Sequence, residues 1–122
     1  MELKEFYSTI GESYDATYDR LCSVQRIAQF LECFFRTYQI DELKERIEKQ
    51  DFSAAMRDAH TLKGVASTLG LERLSKKAAS LQHSLKENQT DQAAGLFRDI
   101  LDEYTKILNG WKQTAFCERD IL

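Results

Sequence analysis

The sequence predicts an all-α fold, an antiparallel four-helix bundle with additional short helices at its N-terminus. Three observations predict it. The 122 residues include no proline, the strongest helix breaker. Apolar residues recur three and four apart along most of the chain, and the alternation of a half-buried strand is missing. Turn signals at Gly70 and around Asn88 to Thr90 are short, so sequential helices pack side by side. The length suits one domain. Short helices are expected within residues 1–22, the bundle over about 23–113, and a tail over 114–122 that carries no clear pattern. No internal repeat, low-complexity stretch or linker divides the chain.

The elements follow in order. Leu3, Phe6, Tyr7 and Ile10 share a helical face that stops at Gly11. Ser13 is placed to cap a second short helix bearing Tyr14, Thr17, Tyr18 and Leu21. Ser23 is placed to cap a third, with Val24, Ile27, Ala28, Leu31, Phe34 and Phe35 on its inner face. A charged helix from about Asp41 to Lys49 offers Leu43 and Ile47 as apolar contacts. Asp51 caps a longer helix that runs to about Leu69, where Gly70 ends it. Another spans about Leu71 to Lys86. The last starts at Thr90 or Asp91 and reaches about Trp111, with Ala94, Phe97, Ile100, Leu101, Tyr104 and Leu108 expected inward.

Composition narrows the function classes. Hydrophobic residues make up 43% of the chain and charged residues 30%, which suits a soluble domain with a core. The net charge of −3 lacks the basic excess of a nucleic-acid binder. No apolar run reaches the length of a membrane span, and Met1-Glu2-Leu3-Lys4-Glu5 lacks the apolar core of a signal peptide. Cys22, Cys33 and Cys117 are odd in number and have no CxxC spacing. They argue against a disulfide scaffold or zinc site and for a reducing cytoplasm, and are expected as small apolar residues of the interior.

The helix after Asp51 carries the chemistry. Phe52, Ala55, Met56, Ala59, Leu62, Ala66 and Leu69 form its core stripe. Ser53, Arg57, His60, Gly64 and Ser67 form a second stripe, polar or small throughout, so His60 is expected outside the core with Lys63 at i+3. A glycine within a helix costs about 1 kcal/mol relative to alanine, and here no helix end explains it. Close packing of a neighbouring helix is one explanation. Access for a partner to the imidazole is the other, and the position of Gly64 on the polar stripe favours it. If the hairpin turns near residue 71, facing residues have numbers summing to about 142, which brings Gln82 to His60. Its amide oxygen is then expected to accept from Nδ1–H and leave Nε2 as the nucleophile. His83 is turned about 100° away and reads as an ordinary surface histidine.

Ala59-His60-Thr61-Leu62-Lys63-Gly64-Val65-Ala66-Ser67-Thr68-Leu69-Gly70 resembles the signature of histidine-containing phosphotransfer (HPt) domains. The stretches from about Phe30 through Phe52 and from Leu71 to about Leu85 resemble the family's flanking patterns. The opening Leu3-Lys4-Glu5-Phe6-Tyr7, then Gly11, looks like that of small stand-alone bacterial members, and Met1 lies close to the domain. The resemblance implies a helical bundle that relays a phosphoryl group between receiver-domain aspartates. By position it makes His60 the phosphorylated residue, Lys63 the phosphate-neutralising cation, Gly64 the access residue and Gln82 the orienting polar residue. Arg57 and Ser67 are possible rim residues. It implies response-regulator receivers and a hybrid or sensor histidine kinase as partners. Mg²⁺ is expected on the receiver, with no cofactor or metal on this chain. The protein is expected to be a cytoplasmic monomer that binds neither nucleic acid nor membrane.

Free histidine is largely neutral at cytosolic pH, as a nucleophile must be. Neither a Walker-type loop nor a kinase glycine-rich loop occurs, so the reading is phosphocarrier rather than ATP-using enzyme. Two alternatives compete: a helical adaptor whose histidine stays unphosphorylated, and a metal-binding bundle using His60 and His83. The second is disfavoured because those histidines turn to different faces and no Glu-x-x-His repeat accompanies them. Phe34, Phe35 and Tyr38 are read as core first and as an apolar rim for a docked receiver second. The carboxylates Asp41, Glu42, Glu45 and Glu48 read as a solvated helix face.

Overall fold

In the computed structural model, which describes residues 1–116, polar side chains begin three of the helices. Ser13 accepts from the Ala16 amide at 3.1 Å and starts the second helix, α2 (Tyr14–Leu21); the first, α1, is Leu3–Thr9. Ser23 accepts from the Arg26 amide at 3.2 Å and starts α3 (Val24–Thr37). The short α4 (Ile40–Glu48) follows. Asp51 accepts from the Ala54 amide at 3.3 Å and starts α5 (Phe52–Thr68). These bonds satisfy amides that no preceding helical turn can reach. The remaining helices are α6 (Glu72–Lys86) and α7 (Ala93–Lys112), the latter preceded by a 3₁₀ turn at Thr90–Gln92.

The stop after α5 is a Schellman motif. The Leu71 amide donates to the Ala66 carbonyl at 2.8 Å and the Gly70 amide to Ser67 at 3.1 Å, with Gly70 at φ +76°. Only a residue without a side chain fits, because a Cβ there would also collide with Thr17 Oγ1. The chain therefore reverses within two residues, and α5 and α6 form the most extensive helix pair of the fold. Both helices bury small residues, Ala55, Ala59 and Ala66 on α5 and Ser75, Ala78 and Ser84 on α6. Small residues let two helix backbones approach closely.

The other side of the core is aromatic. Phe34 and Phe35 of α3 meet Tyr104 of α7 at centroid distances of 6.0 and 5.9 Å. Trp111 packs between Phe6 at 5.6 Å and Phe35 at 6.0 Å, and its indole N–H donates to Glu32 at 2.8 Å. Among the described residues, α3, α5, α6 and α7 are the long helices of the bundle, and α4 packs on α5 and α7.

Three expectations need correction. On α7 the buried face is Ala93, Phe97, Ile100, Tyr104, Ile107 and Trp111; Ala94 is exposed, while Leu101 and Leu108 are half-buried. Two apolar stripes interleave on this helix, and the core takes the one that ends in the indole. Val24 is exposed on the first turn of α3. Cys22 and Cys33 are exposed, not interior. Cys22 occupies the left-handed cap of α2 at φ +63°, and Cys33 falls on the outer face of α3; Cys117 lies outside the described residues. The short N-terminal helices are part of the core, since Leu3, Phe6, Tyr7 and Ile10 are all buried. Of the tail, Thr114 bonds the Trp111 carbonyl at 2.7 Å and Phe116 stacks on Trp111.

Candidate functional site

The core stripe of α5 enters the bundle through Ala55, Ala59, Leu62, Ala66 and Leu69, all buried. This fixes the rotation of the helix and turns the polar stripe outward. His60 and Gly64 are exposed, while Lys63 and Ser67 are half-buried. A Cβ built on Gly64 would meet nothing within 4 Å. No neighbouring helix needs the missing side chain, so close packing does not explain this glycine.

Gln82 lies across the hairpin from His60, with its amide Nε2 at 3.0 Å from Nδ1. The pairing matches the hairpin arithmetic, but the end of the amide differs from the expectation. As placed, the amide N–H donates to Nδ1, which leaves the ring proton on Nε2. A half-turn of the amide brings Oε1 to the same point, where it accepts from Nδ1–H and frees the Nε2 lone pair. A second bond ties the same seam: the Ser75 hydroxyl donates to the Lys63 carbonyl at 3.0 Å. The side chain of Lys63 has no carboxylate partner among the described residues.

Arg57 is exposed and donates to Ser53 Oγ at 3.0 Å, one turn toward the start of the helix. Ser67 contributes its carbonyl, which accepts from Arg20 Nη2 at 2.9 Å; Arg20 Nε also donates to the Thr68 carbonyl at 3.2 Å. His83 is exposed, adjacent in sequence to Gln82 but without a contact to His60. Among the described residues no group of three or more His, Cys, Asp or Glu side chains is arranged to hold a metal ion.

The opposite flank of α5 is open. A groove of about 760 Å³ runs between α3 and α5, lined by Phe30, Cys33, Tyr38, His60, Gly64 and Val65 among others. Phe30 is 44% and Val65 38% exposed, unusual for large apolar side chains beside a polar site. Phe34 and Phe35 are buried core residues, as read first, and Tyr38 is half-buried at the groove edge.

Beneath this flank Asp58 ties three helices together. Its carboxylate accepts from Arg46 at 2.6 Å and from the Tyr38 hydroxyl at 3.2 Å. Burial pushes the Asp58 carboxyl above its ordinary range, against the opposing pull of Tyr38 and Arg46. The Tyr38 hydroxyl is raised as well, by burial first and by the Asp58 charge second. Sequence reading missed Asp58, Arg20 and Ser75. Ser75 had a signal, a hydroxyl within the apolar stripe of α6. Arg20 and Asp58 had none, because their partners lie in other helices.

An exposed histidine on a helix hairpin, held by an amide from the second helix, is the arrangement of a helical phosphotransfer module. The chain matches the Hpt domain family over residues 25–110, and it belongs to that family. Hpt domains are histidine phosphotransfer modules of phosphorelays. Comparisons with curated proteins and with solved structures returned no match. Among the described residues no helix is long and apolar enough to cross a membrane.

Proposed function

We propose that this protein is a phosphorelay intermediate that takes a phosphoryl group onto His60 from the aspartyl phosphate of one receiver domain and passes it to the aspartate of another. The carrying observation is the exposed His60 ring, held at Nδ1 by Gln82 and facing open space over Gly64. In the reactive form Gln82 presents Oε1 to Nδ1–H, and the Nε2 lone pair attacks phosphorus. The P–O bond to aspartate breaks as the P–Nε2 bond forms, and the carboxylate leaves. The phosphorylated ring keeps its Nδ1 proton on the Gln82 oxygen.

Transfer of this kind depends mainly on alignment and on neutralising the phosphoryl oxygens. Lys63 supplies a cation one helical turn from His60, and Mg²⁺ belongs to the receiver. The α3–α5 groove seats the receiver, with Phe30 and Val65 as apolar contacts and Tyr38 at the edge. Arg57 extends the rim and Ser67 borders it. The protein works as a cytoplasmic monomer in this reading, with receivers and a sensor or hybrid kinase as partners. Incubation with a phosphorylated receiver tests it: wild-type protein should gain label on His60 and His60→Gln should gain none. Equal labelling of the two would leave an adaptor whose histidine is idle.

A further inference from the structure

The His60 stripe is cationic in a chain of net charge −3. Its own positions, Ser53, Arg57, His60, Gly64 and Ser67, include no carboxylate, and Lys63 stands beside it. Toward its C-terminal end the stripe has no cation of its own, and Arg20 of α2 arrives there. Arg20 is held in place by the Ser67 and Thr68 carbonyls, the last turn of α5. With Lys63, Gly64, Ser67, Thr68 and Ser75 it lines a concavity of about 350 Å³. Arg57, Lys63 and Arg20 have no ion-pair partner among the described residues, whereas Arg46, Lys49 and Lys77 each do. Two of the five guanidinium N–H groups of Arg20 are used on carbonyls, which leaves three exposed donors on a fixed fork.

Arg20 also lies outside the matched family region, residues 25–110. We propose that it is a partner-specifying residue: a preset cation that donates to a carboxylate of the docked receiver about 10 Å along α5 from His60, the rise of seven helical residues. The occupant is argued from charge. A protein that presents a phosphorylated aspartate to His60 brings negative charge to this face, and unpaired cations on both sides of the imidazole complement it. The inference rests on His60 being the phosphoacceptor.

The test separates docking from chemistry. A small phosphoramidate donor labels a histidine without docking: the P–Nε2 bond to imidazole forms as the P–N bond of the donor breaks, its already protonated nitrogen leaves as neutral ammonia, and the ring keeps its Nδ1 proton. Arg20→Gln keeps a donor for the α5 carbonyls and loses the charge. It should slow transfer from a phosphorylated receiver about fivefold and flatten the salt dependence of that rate, the scale of one exposed charge pair. Direct labelling by phosphoramidate and the melting temperature should stay at wild-type values. Arg20→Lys should restore most of the receiver rate, and Arg20→Glu should lower it further than Arg20→Gln. Wild-type receiver rates and salt slope in Arg20→Gln would overturn the proposal. So would parallel losses of melting temperature and direct labelling, which would make Arg20 only a brace for the helix end. Labelling of His60→Gln at the wild-type level by either donor would instead overturn the His60 assignment, and this inference with it.

Discussion

The two flanks of α5 are built from different residues and do opposite things. Toward α6 the two helices pack most extensively of any pair, and two hydrogen bonds cross the seam, Ser75 to the Lys63 carbonyl and Gln82 to His60. Toward α3 lies an open groove with Phe30 and Val65 at its surface. The contrast teaches how one helix holds the His60 ring still and also exposes it. One side is closely packed, the other is an open groove, and Gly64 stands in open space beside His60.

Substitutions can break each flank separately. The largest expected effect is on the seam. Ala59→Leu forces a branched side chain into a fully buried contact and should lower stability by about 3 kcal/mol, the upper end for overpacking, visible as a lowered melting temperature. Gly64→Leu should do the reverse. It enters open space, so the fold gains about 1 kcal/mol of helix propensity, while phosphotransfer from a receiver falls on the order of a hundredfold because the partner no longer reaches the imidazole. A destabilised Gly64→Leu protein would show that the glycine serves packing after all. On the groove, Phe30→Ala with Val65→Ser should weaken receiver affinity about tenfold at unchanged melting temperature, measured by titration calorimetry.

Smaller effects sharpen the comparison. Gln82→Ala removes the one side-chain bond to the ring and should slow His60 labelling three- to tenfold, the rate equivalent of about 0.5–1.5 kcal/mol for a hydrogen bond. The smallest concerns Asp58. Its carboxyl titrates above the unfolded value because burial disfavours the charged form. The folded state therefore binds more protons there, and its stability falls as pH rises from the unfolded aspartate pKa through the raised one. Asp58→Asn should remove this slope from denaturant melts taken from the ordinary aspartate pKa of about 4 upward.

Much of this architecture could be read from the residues, for local reasons. Serine and aspartate caps announce helix starts within three residues, and a core stripe fixes which way a helix turns. Gln82 was reachable because a tight turn at Gly70 makes hairpin pairing a matter of counting. The failures have physical causes too. On α7 two apolar stripes lie side by side, and only the packing of Trp111 against Phe6 and Phe35 decides between them. Cysteine has no fixed burial, and Cys33 faces out because Phe34 and Phe35 fill the space beneath α3. Phe34 and Phe35 are core, as first read, while Phe30 one turn earlier, not singled out by the sequence reading, carries the exposure. Arg20 was out of reach, since its bonds span 47 and 48 residues and no periodicity encodes such a contact.

The central claim is that the seam presents His60 as the phosphoacceptor. The most direct measurement is mass spectrometry of the protein after incubation with a phosphorylated receiver, wild type beside His60→Gln. A single acid-labile phosphoryl group on His60, absent from the variant, is the predicted result. A phosphoryl group on any other residue, or equal labelling of both proteins, would contradict it.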